Sequence, residues 1–357
     1  MIGQGMKVLE GCIAERGWPG ITGAIVYADG SELAVAAGQS DREAGRAMGV
    51  RDRMHAGSVG KTFAAAAALS LVEAGKIGLD EPIARFAGQL PWIEALPAGD
   101  RLTLRQVLAH RTGLKDFIYT EGWRDRWLEA AGKDPDYTQT VEDGIRIAID
   151  AGAAGEPDVL TQYADTNYLI AGRLIEAAAG EDYYAYLQHR ILDPLGLRST
   201  SPTTTRRIDG LAPGYLREAL HPYFGPKSIG ADGALVYNPS WEFTGGGLVS
   251  TPADLARFMK ALIEGRVLSV PMLAEMIAGW PMEYPLPNHR YGLGLQMFDS
   301  ELGPIIGHSG QFAGYRSLAF YCRDSGLSVA LQINADAETL LPTWLALARF
   351  GLETAPS

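Results

Sequence analysis

Ser58-Val-Gly-Lys61 opens an alanine-rich segment whose helical pattern runs to about Gly75. Residues three apart share one helix face, so the Lys61 amine reaches the Ser58 hydroxyl. A serine hydroxyl is a weak nucleophile alone and needs a base beside it. A lysine amine serves when its surroundings pull its pKa below the ordinary value of about 10.4. The helix N-terminus also supplies backbone N–H groups suited to an oxyanion. Taken alone, the tetrapeptide reads more readily as a serine N-cap than as a nucleophile. Gly60-Lys61-Thr62 invites a phosphate-loop reading, but that motif needs a glycine where His55 stands, after a hydrophobic strand that Arg51-Asp-Arg-Met does not provide. The phosphate loop is rejected.

Two more short motifs give Ser58 and Lys61 a context. Tyr163-Ala-Asp165 precedes a helical segment, and His308-Ser-Gly310 precedes the strand-like Tyr315-Arg-Ser-Leu-Ala-Phe320. With Ser58-x-x-Lys61 they resemble the three motifs of the serine β-lactamase and penicillin-binding-protein superfamily, in its class C β-lactamase, DD-peptidase and esterase (family VIII-type) branch. The blocks Thr103–Leu114, Leu192–Leu197, Gly246–Leu255 and Gly307–Tyr315 resemble the same family in the same order. The resemblance implies that Ser58 is acylated, that Lys61 is its base partner, and that Tyr163 carries protons to the leaving group and from the deacylating water. It implies an oxyanion hole formed by the backbone N–H groups of Ser58 and Gln311, with His308 and Asp165 lining the substrate site.

Two departures shape the expected substrate. Many β-lactamases carry a lysine at the position of His308, which meets a substrate carboxylate; a histidine is neutral at most working pH values. Asp165 stands where many relatives have asparagine, and a carboxylate cannot donate a hydrogen bond to a substrate amide. The expectation is a serine hydrolase acting on small carboxylic esters, with amides as a further class. The alternatives are a D-stereospecific aminopeptidase or amidase, a DD-carboxypeptidase, or a weak β-lactamase. A non-catalytic penicillin-binding or scaffolding protein is the reading from another class, and the intact Ser58, Lys61 and Tyr163 stand against it.

The elements that must position these residues follow from periodicity. A helix is expected over 5–17, then strands Gly23–Tyr27 and Glu32–Ala37 joined by an Asp29-Gly30 turn. Helical segments follow at 103–110, 140–150, 166–179, 182–191 and 252–264. Residues 200–245, rich in Pro, Gly and aromatics, show no period. Strands return at Tyr291–Phe298, 304–308, Tyr315–Cys322 and Leu327–Ile333, before a closing helix at 337–350. The expected fold is α/β: a mainly antiparallel sheet built from both termini and flanked by helices, with an all-helical inserted lobe, β-lactamase/transpeptidase-like. Residues 1–357 form one hydrolase domain, with a body of 1–57 and 245–357 and a lobe of 58–244. The groove between body and lobe is the expected site. His110 reads as a satisfied structural histidine, and Trp123 and Trp127, four apart, as core. Tyr215, Tyr223, Phe224, Tyr237 and Trp241 either line an acyl-binding cleft or pin their loop. Arg316 reads as an outward-facing strand residue.

Composition narrows the remaining classes. Of the 357 residues 47% are hydrophobic and 20% charged, as in soluble globular proteins. A net charge of −11 gives no attraction to nucleic acid or to anionic membranes. The longest strongly apolar run, Phe63–Val72, is about half of what a bilayer span needs. The N-terminus has no basic region followed by an apolar one, so no secretory route and a cytoplasmic location are expected. Cys12 and Cys322 make no disulfide framework, and the scattered histidines have no metal-ligand spacing. No cofactor is expected, and the partner is a small ester or amide substrate.

Overall fold

In the computed structural model, which describes residues 1–283, 286–337 and 339–356, the chain begins and ends in the same sheet. After helix α1 (Ile2–Arg16) come strands β1 (Gly20–Val26), β2 (Glu32–Asp41) and β3 (Arg46–Ala47). The C-terminal third supplies β7 (Trp280–Pro281), β8 (Arg290–Tyr291), β9 (Gln296–Ser300), β10 (Gly303–Phe312), β11 (Tyr315–Cys322) and β12 (Leu327–Ile333). Their order is β3-β2-β1-β12-β11-β10-β9-β8-β7, antiparallel throughout. The termini meet where β1 pairs with β12, Ile21 opposite Ile333 and Ile25 opposite Val329.

Every residue of β1 and β12 is buried, because helices cover both faces of the central strands. On one face α1 and the helix Leu341–Glu353 pack Leu9, Trp344 and Leu347 against Ile25, Phe320 and Leu331. On the other face lie the helix Pro252–Ile263 and helix α2 (Gly60–Glu73). Residues Gly60–Leu71 of α2 are all buried. A helix apolar on every side belongs in an interior, and its run of alanines lets neighbours approach closely. Among the described residues no helix is long and apolar enough to cross a membrane.

Between β3 and β7 the chain is mainly helical. Here are α3 (Leu104–Leu108) and α5 (Val141–Ala151), each opened by a threonine capping box, with α4 (Trp123–Lys133) between them and α6 (Asp165–Ala179) after. A small sheet, β4 (Met54–His55), β6 (Leu248–Ser250) and β5 (Ser201–Pro202), ties this part to the body.

The sequence expectations hold in outline and shift in detail. The expected strand Tyr291–Phe298 is interrupted, because Gly294 takes a left-handed φ of 76° between β8 and β9. The run expected at 304–308 continues to Phe312, so His308-Ser-Gly310 lies within β10 rather than before a strand. Glycine and polar residues there hide the strand's alternation. The closing helix starts at Leu341 rather than 337; Glu338 lies outside the described residues.

Candidate active site

Ser58 sits at the centre of a single 3₁₀ turn, Gly57–Val59, between β4 and α2. It does not cap the helix: Val59 holds the N-cap position of α2, with no side-chain bond there. The turn is wedged against β10. Gly57 has φ 52°, and a Cβ on it would lie 2.5 Å from the backbone N of Gln311. Ser317 Oγ on β11 donates to Ala56 O at 2.5 Å and fixes the turn from below.

Lys61, one turn further on, has 0% of its surface exposed. Its Nζ donates to Ser58 Oγ at 3.0 Å and to Gly245 O at 2.6 Å, and forms an ion pair with Asp165, the first residue of α6. Tyr163 interacts electrostatically with Ser58 and Lys61, and Lys61 Nζ stands 5.0 Å from the Tyr163 ring centroid. Burial works against the lysine charge, but its acidic neighbours, Asp165 foremost, outweigh it and hold the Lys61 pKa above its ordinary value. Burial raises the Tyr163 pKa, and the Lys61 charge recovers only part of that shift. At rest the lysine is charged and the phenol neutral.

His308 is buried. Its Nδ1–H donates to Ser309 O at 2.6 Å and its Nε2 accepts from the Tyr291 hydroxyl at 2.9 Å. Burial, with a smaller contribution from the Lys61 charge, lowers its pKa to about 3. His308 is therefore a neutral ring with both nitrogens occupied, and it offers no cation to a substrate carboxylate.

Ser58, Tyr163, Asp165, His308 and Gln311 all line one cavity of about 1050 Å³, with Lys61 buried behind Ser58. Trp123, Trp127 and Trp241 form its aromatic wall, with ring centroids 5.5–6.2 Å apart. The expectation that Trp123 and Trp127 are only core is thus corrected: they pack inward and face the cavity as well. Phe224, Tyr237 and Trp241 from the irregular stretch line it too, whereas Tyr215 is turned away to Glu43 and the backbone of Arg42. Arg316 is half-buried in the cavity wall rather than facing outward.

Three residues at this site carry no motif in the sequence. Glu242 lines the cavity, and burial together with the Asp165 charge raises its pKa to about 8. Asp116, buried behind Asp165, is raised to about 7 for the same two reasons. Gln296 on β9 lines the cavity and accepts the Ser309 N–H at 3.0 Å. Three carboxylates therefore surround one lysine. Glu242 lies in the stretch without periodicity, and Asp116 is one acidic residue among many, so nothing in the sequence marks either.

The sheet, the helices around it and a serine lining an open cleft with a buried lysine behind it together have the architecture of a serine hydrolase. The chain belongs to the Beta-lactamase family, whose model matches residues 6–349. It is 26% identical to Penicillin-binding protein 4 of Amycolatopsis lactamdurans over 88% of this chain and 80% of that protein. Other curated penicillin-binding relatives are longer, and the chain spans 52–60% of them. The D-amino acid amidase from Ochrobactrum anthropi SV3, solved with L-phenylalanine amide, superposes with a TM-score of 0.82 at 26% identity, covering 98% of each chain. A D-stereospecific amidohydrolase from Streptomyces sp. gives 0.79 at 29% identity, covering 94% of this chain and 95% of the other.

Proposed function

We propose that the protein hydrolyses amides or short peptides of D-amino acids bearing a free amino group, through an acyl-enzyme on Ser58. The observation that carries this reading is the charge balance around Lys61. Asp165, Glu242 and Asp116 cluster around a single buried lysine, and burial first, then the Asp165 charge, raise the pKa values of Glu242 and Asp116. A substrate ammonium at the cavity face of Asp165 and Glu242 gains an opposite charge there and favours the ionised form of Glu242. The aromatic wall receives the side chain of the acyl residue, as an apolar pocket with few polar groups does. The D configuration is carried over from the names of the two similar structures.

In this scheme the Ser58 oxygen bonds to the substrate carbonyl carbon, and the serine proton passes to the Lys61–Tyr163 pair. The oxyanion faces the backbone N–H groups of Ser58 and Gln311. Tyr163 hands its proton to the departing amine as the C–N bond breaks, and water then cleaves the ester by the reverse relay. The incoming ammonium competes with Lys61 for Asp165, which weakens the hold of Lys61 on its own proton and readies it as a base. Activated esters use the same nucleophile and need no protonation of the leaving group, so ester cleavage accompanies amide cleavage. The neutral His308 disfavours substrates that rely on a carboxylate, β-lactams among them.

The test compares D-phenylalanine amide, its N-acetyl derivative and p-nitrophenyl butyrate. The free amine should exceed the N-acetyl amide in kcat/KM by at least about 10-fold, the worth of roughly one charge-assisted hydrogen bond, and Ser58→Ala should abolish turnover of all three. Equal rates for the two amides, with the ester far ahead, would return the reading to a carboxylesterase.

A further inference from the structure

We propose that His110 is the positioning residue of the proton relay, clamping the chain on both sides of Tyr163 so that its hydroxyl stays against Ser58 and Lys61. The inference rests on Tyr163 being the relay of the proposed function.

Tyr163 belongs to a stretch, residues 152–164, without helix or regular strand, which ends only where α6 starts at Asp165. Such a segment does not set a side-chain direction by itself; its neighbours must. The neighbour is the turn that ends α3. There the His110 N–H meets Val107 O at 3.3 Å, the Arg111 N–H meets Gln106 O at 2.8 Å, and His110 takes a left-handed φ of 56°. Glycine or asparagine usually occupies a helix end of this kind, since a Cβ strains it.

The histidine at this strained position makes three contacts with consecutive residues. Its carbonyl accepts the Gln162 N–H at 2.8 Å. Its ring lies on the Tyr163 ring, centroids 4.2 Å apart. Its Nδ1 accepts the Ala164 N–H at 3.2 Å. Because Nδ1 accepts, the ring proton sits on Nε2, and Asn167 Nδ2 donates to the same Nδ1 at 3.2 Å while Thr112 Oγ1 donates to Asn167 Oδ1 at 2.7 Å. The ring is fully buried among Tyr163, Tyr168 and Tyr291, and burial with the Lys61 charge keeps it neutral, so Nδ1 stays an acceptor across the working pH range. Arg111 completes the staple further out, Nε to Asp158 Oδ1 at 3.2 Å and Nη1 to Thr161 Oγ1 at 3.1 Å.

Packing alone does not account for this residue. Nε2 has no hydrogen-bond partner among the described residues, and the backbone is strained. Leucine would fill the volume without an orphaned polar atom, and glycine would relieve the turn. What only an acceptor on a side chain of this reach provides is the bond to the Ala164 N–H beneath Tyr163.

The test uses two leaving groups and two variants. An alkyl amide needs a proton from Tyr163 as its amine departs, whereas p-nitrophenolate leaves unprotonated, so a displaced Tyr163 slows acylation, read as kcat/KM, far more for the first than for the second. His110→Leu should lower kcat/KM for D-phenylalanine amide by about 100-fold, the order expected for a misplacement near 1 Å, with KM little changed and kcat/KM for the p-nitrophenyl ester reduced less than about 5-fold. His110→Asn, which tolerates the left-handed backbone and keeps a carbonyl acceptor, should recover most of the amide rate. In a Tyr163→Phe background His110→Leu should cost nothing further. Parallel loss on both substrates, or an unchanged amide rate in His110→Leu, overturns the proposal. Should His110→Leu not fold, His110→Asn decides: a retained amide-to-ester ratio supports the clamp, and a parallel fall on both substrates rejects it. An undiminished amide rate in Tyr163→Phe itself would instead reject the relay on which the clamp depends.

Discussion

Lys61 Nζ lies 3.0 Å from Ser58 Oγ, within reach for the proposed base, yet it is the donor of that bond and Asp165 holds it in the charged form. A charged lysine takes no proton, so in the free enzyme the active fraction grows as pH rises toward the raised Lys61 pKa. Removing the Asp165 charge lowers that pKa. Asp165→Asn should therefore move the acidic limb of kcat/KM to lower pH by about 1 unit or more, the usual scale for an opposite charge in contact. The p-nitrophenyl ester is the substrate for this measurement, because it carries no ammonium for Asp165 to bind. An unmoved limb would mean that another group sets it and that Asp165 only positions substrate. The same variant should weaken the preference for D-phenylalanine amide over its N-acetyl derivative, because the cavity carboxylate paired with Lys61 is gone.

The turn Gly57–Val59 carries Ser58 and is wedged tightly against β10. The space of a Cβ on Gly57 is taken by the Gln311 backbone, and its φ of 52° suits glycine. Gly57→Ala must push the turn off β10 and part the N–H groups of Ser58 and Gln311. We expect kcat on p-nitrophenyl butyrate to fall by about 100-fold or more and the Tm to fall by several degrees. Gly88→Ala, where nothing lies within 4 Å of the new methyl, should change neither. The sequence reveals this element only in part. Ser58-x-x-Lys61 reads clearly because helical spacing alone makes the two side chains neighbours, and Tyr163-Ala-Asp165 reads clearly because it opens a long periodic helix. Strand β10 reads short, since Gly307-His-Ser-Gly-Gln311 is shaped by close approach to the turn rather than by alternation. Helix α4 carries no clear period because Trp123 and Trp127 serve both a core and a cavity wall. Glu242 and His110 gain their significance from chain segments 181 and 54 residues away in sequence, at Lys61 and Ala164, and no local pattern records such contacts.

Across the whole molecule, buried titratable groups pull stability in opposite directions with pH. His55 and His308 stay neutral in the fold down to about pH 3, and His110 is likewise held well below 6.5, all three chiefly by burial. Below pH 6.5 the unfolded chain gains three protons on these histidines that the native protein does not, so they remove stability as pH falls. Asp116 and Glu242 act the other way. Their native pKa values, about 7 and about 8, lie above the unfolded carboxyl range, so the native protein binds two protons that the unfolded chain lacks. They add stability as pH falls through that window and remove it as pH rises. Between about pH 6.5 and 5 the three histidines, joined by His289, whose pKa burial also lowers, outweigh the two carboxyls, so stability falls on acidification. Above about pH 6.5 the carboxyls alone act, and stability declines with rising pH. The Tm should therefore peak near pH 6.5 and fall on both sides, more steeply below pH 4.5, where the carboxyl pair no longer opposes the histidines. Thermal denaturation from pH 4 to 9 measures the curve, and Glu242→Gln should flatten its alkaline side while leaving the acidic side in place. A Tm rising steadily through pH 8 would show that Asp116 and Glu242 are ionised in the native protein at neutral pH and that burial does not raise their pKa values.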